Sequence, residues 1–433
     1  MKKNKKMRWL IGISLLLLVT SIIYSVFRDR DPYKYYTGLG SELAISPNDE
    51  KLAFSYFLDG FEAIYMADPD GGNVTKISKE NEGRFHTPRF SSDGKQLLFL
   101  SADHEGIQTL MIMNVDGSKS KQISDNDLHI IDAVFSPTGE MIYYIAMPAE
   151  DYKKAEGETK EGYDLYMIDR NGEEGRQLTN KDHFTMNDLS ISKDGAEVYY
   201  SLFDGNIEQI YSYHIEENKE AKVKEGIKGD MYASVFSPDK QFLIYTAVTE
   251  ESKNSSLFEY ELFSKSLETN ETKRLTNLKA NIQSPVFFHH TNKLAFLVYK
   301  NWPNDPAEYQ LMTVSINGGE PEFIDLNLPA SEKSHWLMKT FDFLLNEKAI
   351  AVYYVLLLGS ITVSLQRRSG RVFLPALISL GLAVFAFIGS FVIAAIMNPW
   401  VGIAVGMVAI TLFLCSLLLN LFAFIIKRFV KPI

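Results

Sequence analysis

The chain has 433 residues, with 54 Asp and Glu against 44 Lys and Arg, a net charge of −10, and one cysteine. A single cysteine excludes an intrachain disulfide and a cysteine-based metal site, and the acidic balance excludes long-range attraction to nucleic acid. All 54 acids fall in 28–348 with 33 of the basic residues, so that segment carries −21 while both ends of the chain are basic and apolar.

In chain order, 1–8 is a basic tail holding Lys2, Lys3, Lys5, Lys6 and Arg8, and 9–27 is nineteen residues without a charge. That length crosses a hydrocarbon core about 30 Å thick. The run exceeds an ordinary signal-peptide core, and Ile22-Ile23-Tyr24-Ser25-Val26-Phe27 has no small-x-small cleavage pattern, so it reads as an uncleaved signal anchor. Residues 28–40 are a short polar link.

From 41 to 327 the chain repeats itself. An apolar strand end enters a Ser/Asp/Gly turn and a second apolar strand leaves it, as in Phe90-Ser91-Ser92-Asp93-Gly94-Lys95-Gln96-Leu97-Leu98-Phe99. The cassette starts at Ile45, Phe90, Phe135, Ile191, Phe236 and Phe287, at spacings of 45, 45, 56, 45 and 51 residues. Seven residues on stand Leu52, Leu97, Ile142, Val198, Leu243 and Leu294, and nine residues on Phe54, Phe99, Tyr144, Tyr200, Tyr245 and Phe296. A second strand pair follows each cassette around an Asp-Gly, Asn-Gly or Gly-Gly turn, residues that tolerate positive φ. Its last strand ends in Ile77-Ser78, Gln122-Ile123-Ser124, Gln177-Leu178-Thr179 or Arg274-Leu275-Thr276. Self-similarity at this period, with about four short antiparallel strands per repeat, predicts an all-β six-bladed β-propeller. Insertions at 148–162 and 249–256 fall between second and third strands.

Residues 328–348 read as a juxtamembrane linker with a helical tendency, and 349–365, 372–397 and 401–426 as three further transmembrane helices. The loop Gln366-Arg367-Arg368-Ser369-Gly370-Arg371 carries three Arg, the loop Asn398-Pro399-Trp400 none, and the tail 427–433 holds Lys427, Arg428 and Lys431. Basic residues collect on the cytoplasmic side. This places both termini and the Arg loop inside and the propeller outside, in a multi-pass protein of the plasma (inner) membrane.

Three and four residues before each cassette the chain approaches the central axis, and ten of these twelve positions are polar or Tyr. Glu42, His86, Asp132, Asn187, Asp188 and Gln283 are therefore the candidate ligand-binding residues of a channel mouth, where like-facing carboxylates focus potential on a cation or a basic group. Wet channel mouths are also polar for structural reasons alone. His289-His290 replaces the Ser-Asp of other cassettes and reads as a divergent turn, with no carboxylate or Cys close by in sequence to complete a metal site. Asp68-Pro69-Asp70-Gly71-Gly72-Asn73 lacks the distal Glu of a calcium loop and reads as a plain hairpin turn. No nucleophile elbow, zincin helix, phosphate-cradling loop or Cys-x-x-Cys is present, so neither an enzyme nor a bound cofactor or metal is expected. The apolar runs hold no ionisable side chain of the kind ion and proton pathways use. Gly402 and Gly406 form a Gly-x-x-x-Gly helix-packing face, expected to meet the preceding helix around Gly381, Ala386, Gly389 and Ser390.

The cassettes Phe90-Ser91-Ser92-Asp93-Gly94-Lys95, Phe135-Ser136-Pro137-Thr138-Gly139 and Phe236-Ser237-Pro238-Asp239, with their Asp-Gly hairpins and Gln-Leu-Thr endings, resemble the TolB-type (WD-like) six-bladed propeller over about 41–327. The resemblance implies a bacterial extracytoplasmic propeller used for protein–protein contacts in the envelope. The blades are also similar to the propellers of dipeptidyl-peptidase-IV-like enzymes, where they gate or bind substrate. The N-terminal α/β domain of TolB and the hydrolase domain of the peptidases have no counterpart here, so no functional residue is carried over. The expected function is a membrane-anchored module binding a protein or ligand at the cell envelope. The alternatives are an accessory or sensor subunit of a membrane transport or signalling complex, and a propeller-based hydrolase acting at the channel mouth.

Overall fold

The computed structural model describes residues 2–79, 83–155, 157–205, 207–223 and 231–429. Lys431 and the rest of 430–433, expected in the cytoplasmic tail, lie outside the described residues. The chain divides into two compact units, 31–333 and the two terminal segments 1–30 with 334–433. Among the described residues the helices are α1 (Lys2–Phe27), α2 (Ala149–Tyr152), α3 (Trp336–Leu344), α4 (Glu347–Arg368), α5 (Leu374–Ile396) and α6 (Pro399–Phe429).

The unit 31–333 is built of successive antiparallel four-stranded meanders spanning 38–76, 84–122, 128–177, 187–222, 232–274 and 281–323. In each, the cassette is the turn between first and second strands. The residues seven after the cassette starts are fully buried in all six. Their side chains pack, with those nine after, against the preceding meander, as Leu97 and Phe99 do on Ala53 and Ile64. Leu98 and Leu100, on the other side of the pleat, pack against Ile130 and Ile142 of the next meander. One apolar cluster fills each junction between neighbours, and the cluster of Leu52, Phe54, Ala295 and Leu297 joins the sixth meander back to the first. The sheets thus stack face to face in a ring, as the sheets of a β-propeller do.

The repeated polar residues are equally structural. Ser46, Ser91, Ser136, Ser192 and Ser237 each accept, on the side-chain oxygen, the N–H that opens the second strand, at 2.9–3.1 Å. The hydroxyls ending the fourth strands, Ser78, Ser124, Thr179 and Thr276, accept N–H groups of the third strands from Ile64, Leu110, Leu165 and Leu262 at 2.9–3.0 Å. The sixth cassette has Phe288 in place of the Ser. There Asp49, from the first cassette turn, accepts the backbone N–H groups of His289 and His290 at 2.7 and 2.8 Å. The oxygens of Asp68 are taken by Lys51 and Asn73, each at 2.6 Å, within an ordinary turn.

In the other unit, α1, α4, α5 and α6 are long and apolar enough to cross a membrane. Helix α1 is tied to α3 by Tyr24 donating to Asp342 at 2.8 Å, and Arg28, just past its end, pairs with Glu347 at the start of α4 at 2.7 Å. Arg367 and Arg368, placed by sequence in a loop, close the last turn of α4. Pro399 and Trp400, also placed in a loop, open α6, because the Asn398 side chain accepts the Trp400 N–H at 2.8 Å and Pro suits the first helical position. Gly402 packs so closely on α5 that a Cβ there would collide with Ala394 and the Ser390 carbonyl, whereas one at Gly406 meets Ser390 at an ordinary 3.8 Å. Ser379 and Ser416 each donate to a carbonyl of the facing helix at 3.2 Å.

Candidate functional site

The first strands of the meanders line a common axis, and each carries a register shift where it nears the axis. Thr87, Asp188, Ala233 and Ser284, three residues before their cassettes, sit there with φ of 53°, 55°, 49° and 51°. Such bulges re-aim side chains that strict alternation would send elsewhere. They open onto a cavity of about 820 Å³, walled below by the bulges and above by the cassette turns of every meander, from Pro47 and Ser92 round to His289 and His290.

Glu42, Asp132, Asn187 and Asp188 line this cavity. His86 and Gln283 lie outside its lining: His86 Nδ1 meets Thr87 Oγ1 at 2.8 Å, and Gln283 accepts from Tyr309 at 3.0 Å. The residue at the centre is one that the pattern of positions did not single out. Arg89 stands between two carboxylates, with Nη2 3.4 Å from Asp132 and Nη1 3.7 Å from Glu42. It precedes its cassette by one residue, where the other repeats have Ala44, Val134, Ser190, Val235 and Val286. An Arg in a column of small and apolar residues was the available signal.

The carboxylates also join neighbouring meanders. Asp132 accepts the Leu189 N–H at 3.0 Å and the Ala133 N–H at 2.8 Å. Asp188 accepts the Ser234 N–H at 2.9 Å and lies 3.1 Å from the Ser201 hydroxyl oxygen. Ser284 donates to the Ser41 carbonyl at 2.5 Å and approaches Glu42 at 3.4 Å. Burial pushes the Glu42 and Asp132 carboxyls up against the pull of Arg89. Burial pushes Asp188 up to about 7, in spite of its hydrogen bonds. Burial opposes the charge on Arg89, but Asp132, Glu42 and Asp188 outweigh it and hold the guanidinium protonated. Burial drives His86 down to about 4, with Arg84 and His129 adding to the shift. The floor of the cavity is thus one fixed cation among three carboxylates, at least one of which titrates near neutrality.

A buried Ser–Glu pair lies off the axis. Ser201 donates to Glu208 at 2.6 Å. Ser55 and Glu62 occupy the same places in the first meander, packed beneath Gly40, where a Cβ has no room. Burial lifts Glu62 to about 8, with Ser55 pulling the other way. Among the described residues no group of three or more His, Cys, Asp and Glu is arranged to hold a metal ion.

Both ends of the unit 31–333 lie at the opposite end of the ring from the cavity, among the loops joining second to third strands. Tyr33 stacks on Phe57 at 4.8 Å, the Tyr36 carbonyl accepts the Gly60 N–H at 2.8 Å, and Tyr56 donates to the Pro329 carbonyl at 2.6 Å.

No protein-family model and no curated protein matches the chain. Among solved structures it is similar to TolB from Acinetobacter baumannii, at 15% identity and TM-score 0.48, over 64% of this chain and 66% of that one. It is similar to an oligogalacturonate lyase solved in complex with manganese, at 14% identity and TM-score 0.48, over 72% of this chain and 83% of that one. It is also similar to a prolyl endopeptidase, at 10% identity and TM-score 0.48, over 76% of this chain and 56% of that one.

Proposed function

We propose that the chain is a multi-pass plasma-membrane protein whose apolar helices anchor a six-bladed, TolB-like propeller outside the cytoplasm. The propeller is a non-catalytic module that receives a protein segment or envelope ligand in the cavity around Arg89. The observation that carries this reading is the placement of the cavity. It opens among the cassette turns, at the end of the ring opposite the one where 31–333 begins and ends. Its volume is that of an ordinary ligand site, and its half-buried Arg89 and carboxylates supply directional partners for a ligand's charged or amide groups. The Lys and Arg of 2–8, 367–371 and 427–431, against none in Asn398-Pro399-Trp400, support the orientation.

A hydrolase is the second reading, favoured by the Asp188 carboxyl at about 7. The binding reading is preferred because Asp188 is already engaged by Ser201 and Ser234 in joining two meanders. An accessory subunit docking through Gly402 is less favoured, since α5 already occupies that face.

The orientation is tested with Lys193→Cys, on the cavity rim, in a Cys415→Ala background. A membrane-impermeant maleimide should label intact cells to the same extent as lysed ones. Labelling only after lysis would reverse the topology.

A further inference from the structure

We propose that the end of the ring opposite the cavity rests on the lipid surface, its loop tips seated in the interfacial layer of the bilayer. This rests on the reading that α1 and α4–α6 cross that bilayer. Nine large apolar side chains are exposed among the described residues of 31–333, and eight belong to this one end. Phe61 follows the tip of the first meander's loop and is 70% exposed; Phe203 and Ile207 flank the tip of the fourth, Leu257 and Phe258 that of the fifth, and Trp302 that of the sixth. Tyr152 and Phe184, from the insertion and the link after the third meander, complete the set, and the ninth residue, Phe323, sits on an outer strand. The cassette turns at the cavity end carry Asn48, Asp93, Thr138, Asp194 and Asp239 at equivalent tips. Exposed aromatics are therefore a property of one end and not of loops in general. Apolar patches gathered in this way mark an interaction surface.

The occupant follows from the chain's connectivity. Both ends of 31–333 leave from this end, and only residues 28–30 separate it from Phe27, the last residue of α1. Three residues span at most roughly 10 Å. On the other side α3 begins at Trp336, three residues beyond Lys333, and exposes Trp336, Met338, Phe341 and Phe343 with no residue buried. Trp302 and Tyr152 have the polar edge that settles at the headgroup level, Phe and Leu side chains enter the boundary beneath it, and short amphipathic helices lie in the same layer. Tethers this short on both sides hold the loop tips within reach of that layer. The attraction is apolar, because Asp59, Glu105, Glu250 and Asp305 stand on the same loops. Contact should accordingly be stronger on zwitterionic than on anionic lipid.

The test uses the full chain with Cys415→Ala, reconstituted into phosphatidylcholine vesicles with or without doxyl-labelled lipid. A single cysteine carrying an environment-sensitive fluorophore is placed at Phe258 or Phe203, and in a control at Lys193. Doxyl lipid is expected to quench the F258C and F203C probes several-fold more than the K193C probe, with the quench reduced when half the lipid is phosphatidylglycerol. Equal or absent quenching in protein that resists carbonate extraction would overturn lipid contact and leave the membrane-spanning reading standing. Release of the protein by carbonate would remove the spanning reading itself. A loop probe that is shielded without doxyl quenching and forms crosslinks between copies would overturn the proposal in favour of a second copy. Two loop positions are used so that a local packing defect at one does not decide the result.

Discussion

Asp132 accepts the backbone N–H of Leu189 from the neighbouring meander at 3.0 Å, while its other oxygen faces Arg89 of the meander before it. One side chain thus joins three successive sheets at the axis, and the same groups form the floor of the cavity. The side chains proposed to meet a ligand are also the ones that join the sheets, which sets what each substitution should do.

Asp132→Ala removes the acceptor of the Leu189 N–H and leaves Arg89 with Glu42 as its near counter-charge. Breaking a largely buried pair from one side costs about 3 kcal/mol. Asp132→Asn keeps an acceptor oxygen and should cost about 1 kcal/mol. Denaturant unfolding in detergent reads both, and equal effects would mean that the charge contributes nothing.

The pH profile follows from Asp188 and Glu62, whose carboxyls are lifted from 3.8 to about 7 and from 4.5 to about 8. An acid that holds its proton more tightly when folded stabilises the fold fully below its unfolded value and loses that contribution as pH rises through its folded one. Stability should therefore fall between about pH 4 and 8 on account of these two groups. The double variant Asp188→Asn with Glu62→Gln should show a flatter melting temperature across that window. An unchanged slope would place both carboxyls near their ordinary values.

Asp49→Ala should destabilise the ring by about 1 kcal/mol, through the bonds it makes to the sixth cassette. His289→Ala and His290→Ala should leave the melting temperature unchanged, since only their backbone N–H groups are used. Added zinc should shift none of these melting temperatures. Loss of stability in the histidine variants would point to a side-chain role.

Gly402→Leu should disrupt the α5–α6 hairpin and lower yield and thermal stability in detergent, whereas Gly406→Ala should be tolerated. Equal tolerance of both would contradict the close approach at Gly402.

The apolar framework was legible because strand alternation and the repeat reinforce one another. An aliphatic residue at the place of Leu97 and an aromatic one at the place of Phe99 recur six times at the same offsets, and one sheet's pleat decides which neighbour each side chain meets. The axial site was legible only in part. Bulges with left-handed φ at Thr87, Asp188, Ala233 and Ser284 break the alternation, so counting three and four residues back caught Asp132 and Asp188 together with His86 and Gln283, which do not line the cavity. Arg89 was invisible to a search for shared positions because it is the exception in its column. His289-His290 resembles a metal pair in one dimension. In the ring it is a backbone dock for Asp49, whose partner lies some 240 residues away in the chain.

An extracytoplasmic partner seated in the cavity around Arg89, as proposed, should be open to capture there. A photo-crosslinking residue at Lys193, activated on intact cells, measures this directly. A discrete adduct is expected, and it should be lost in an Arg89→Gln variant whose melting curve remains cooperative. No adduct from the rim, or the same adduct with Arg89 replaced, would contradict it.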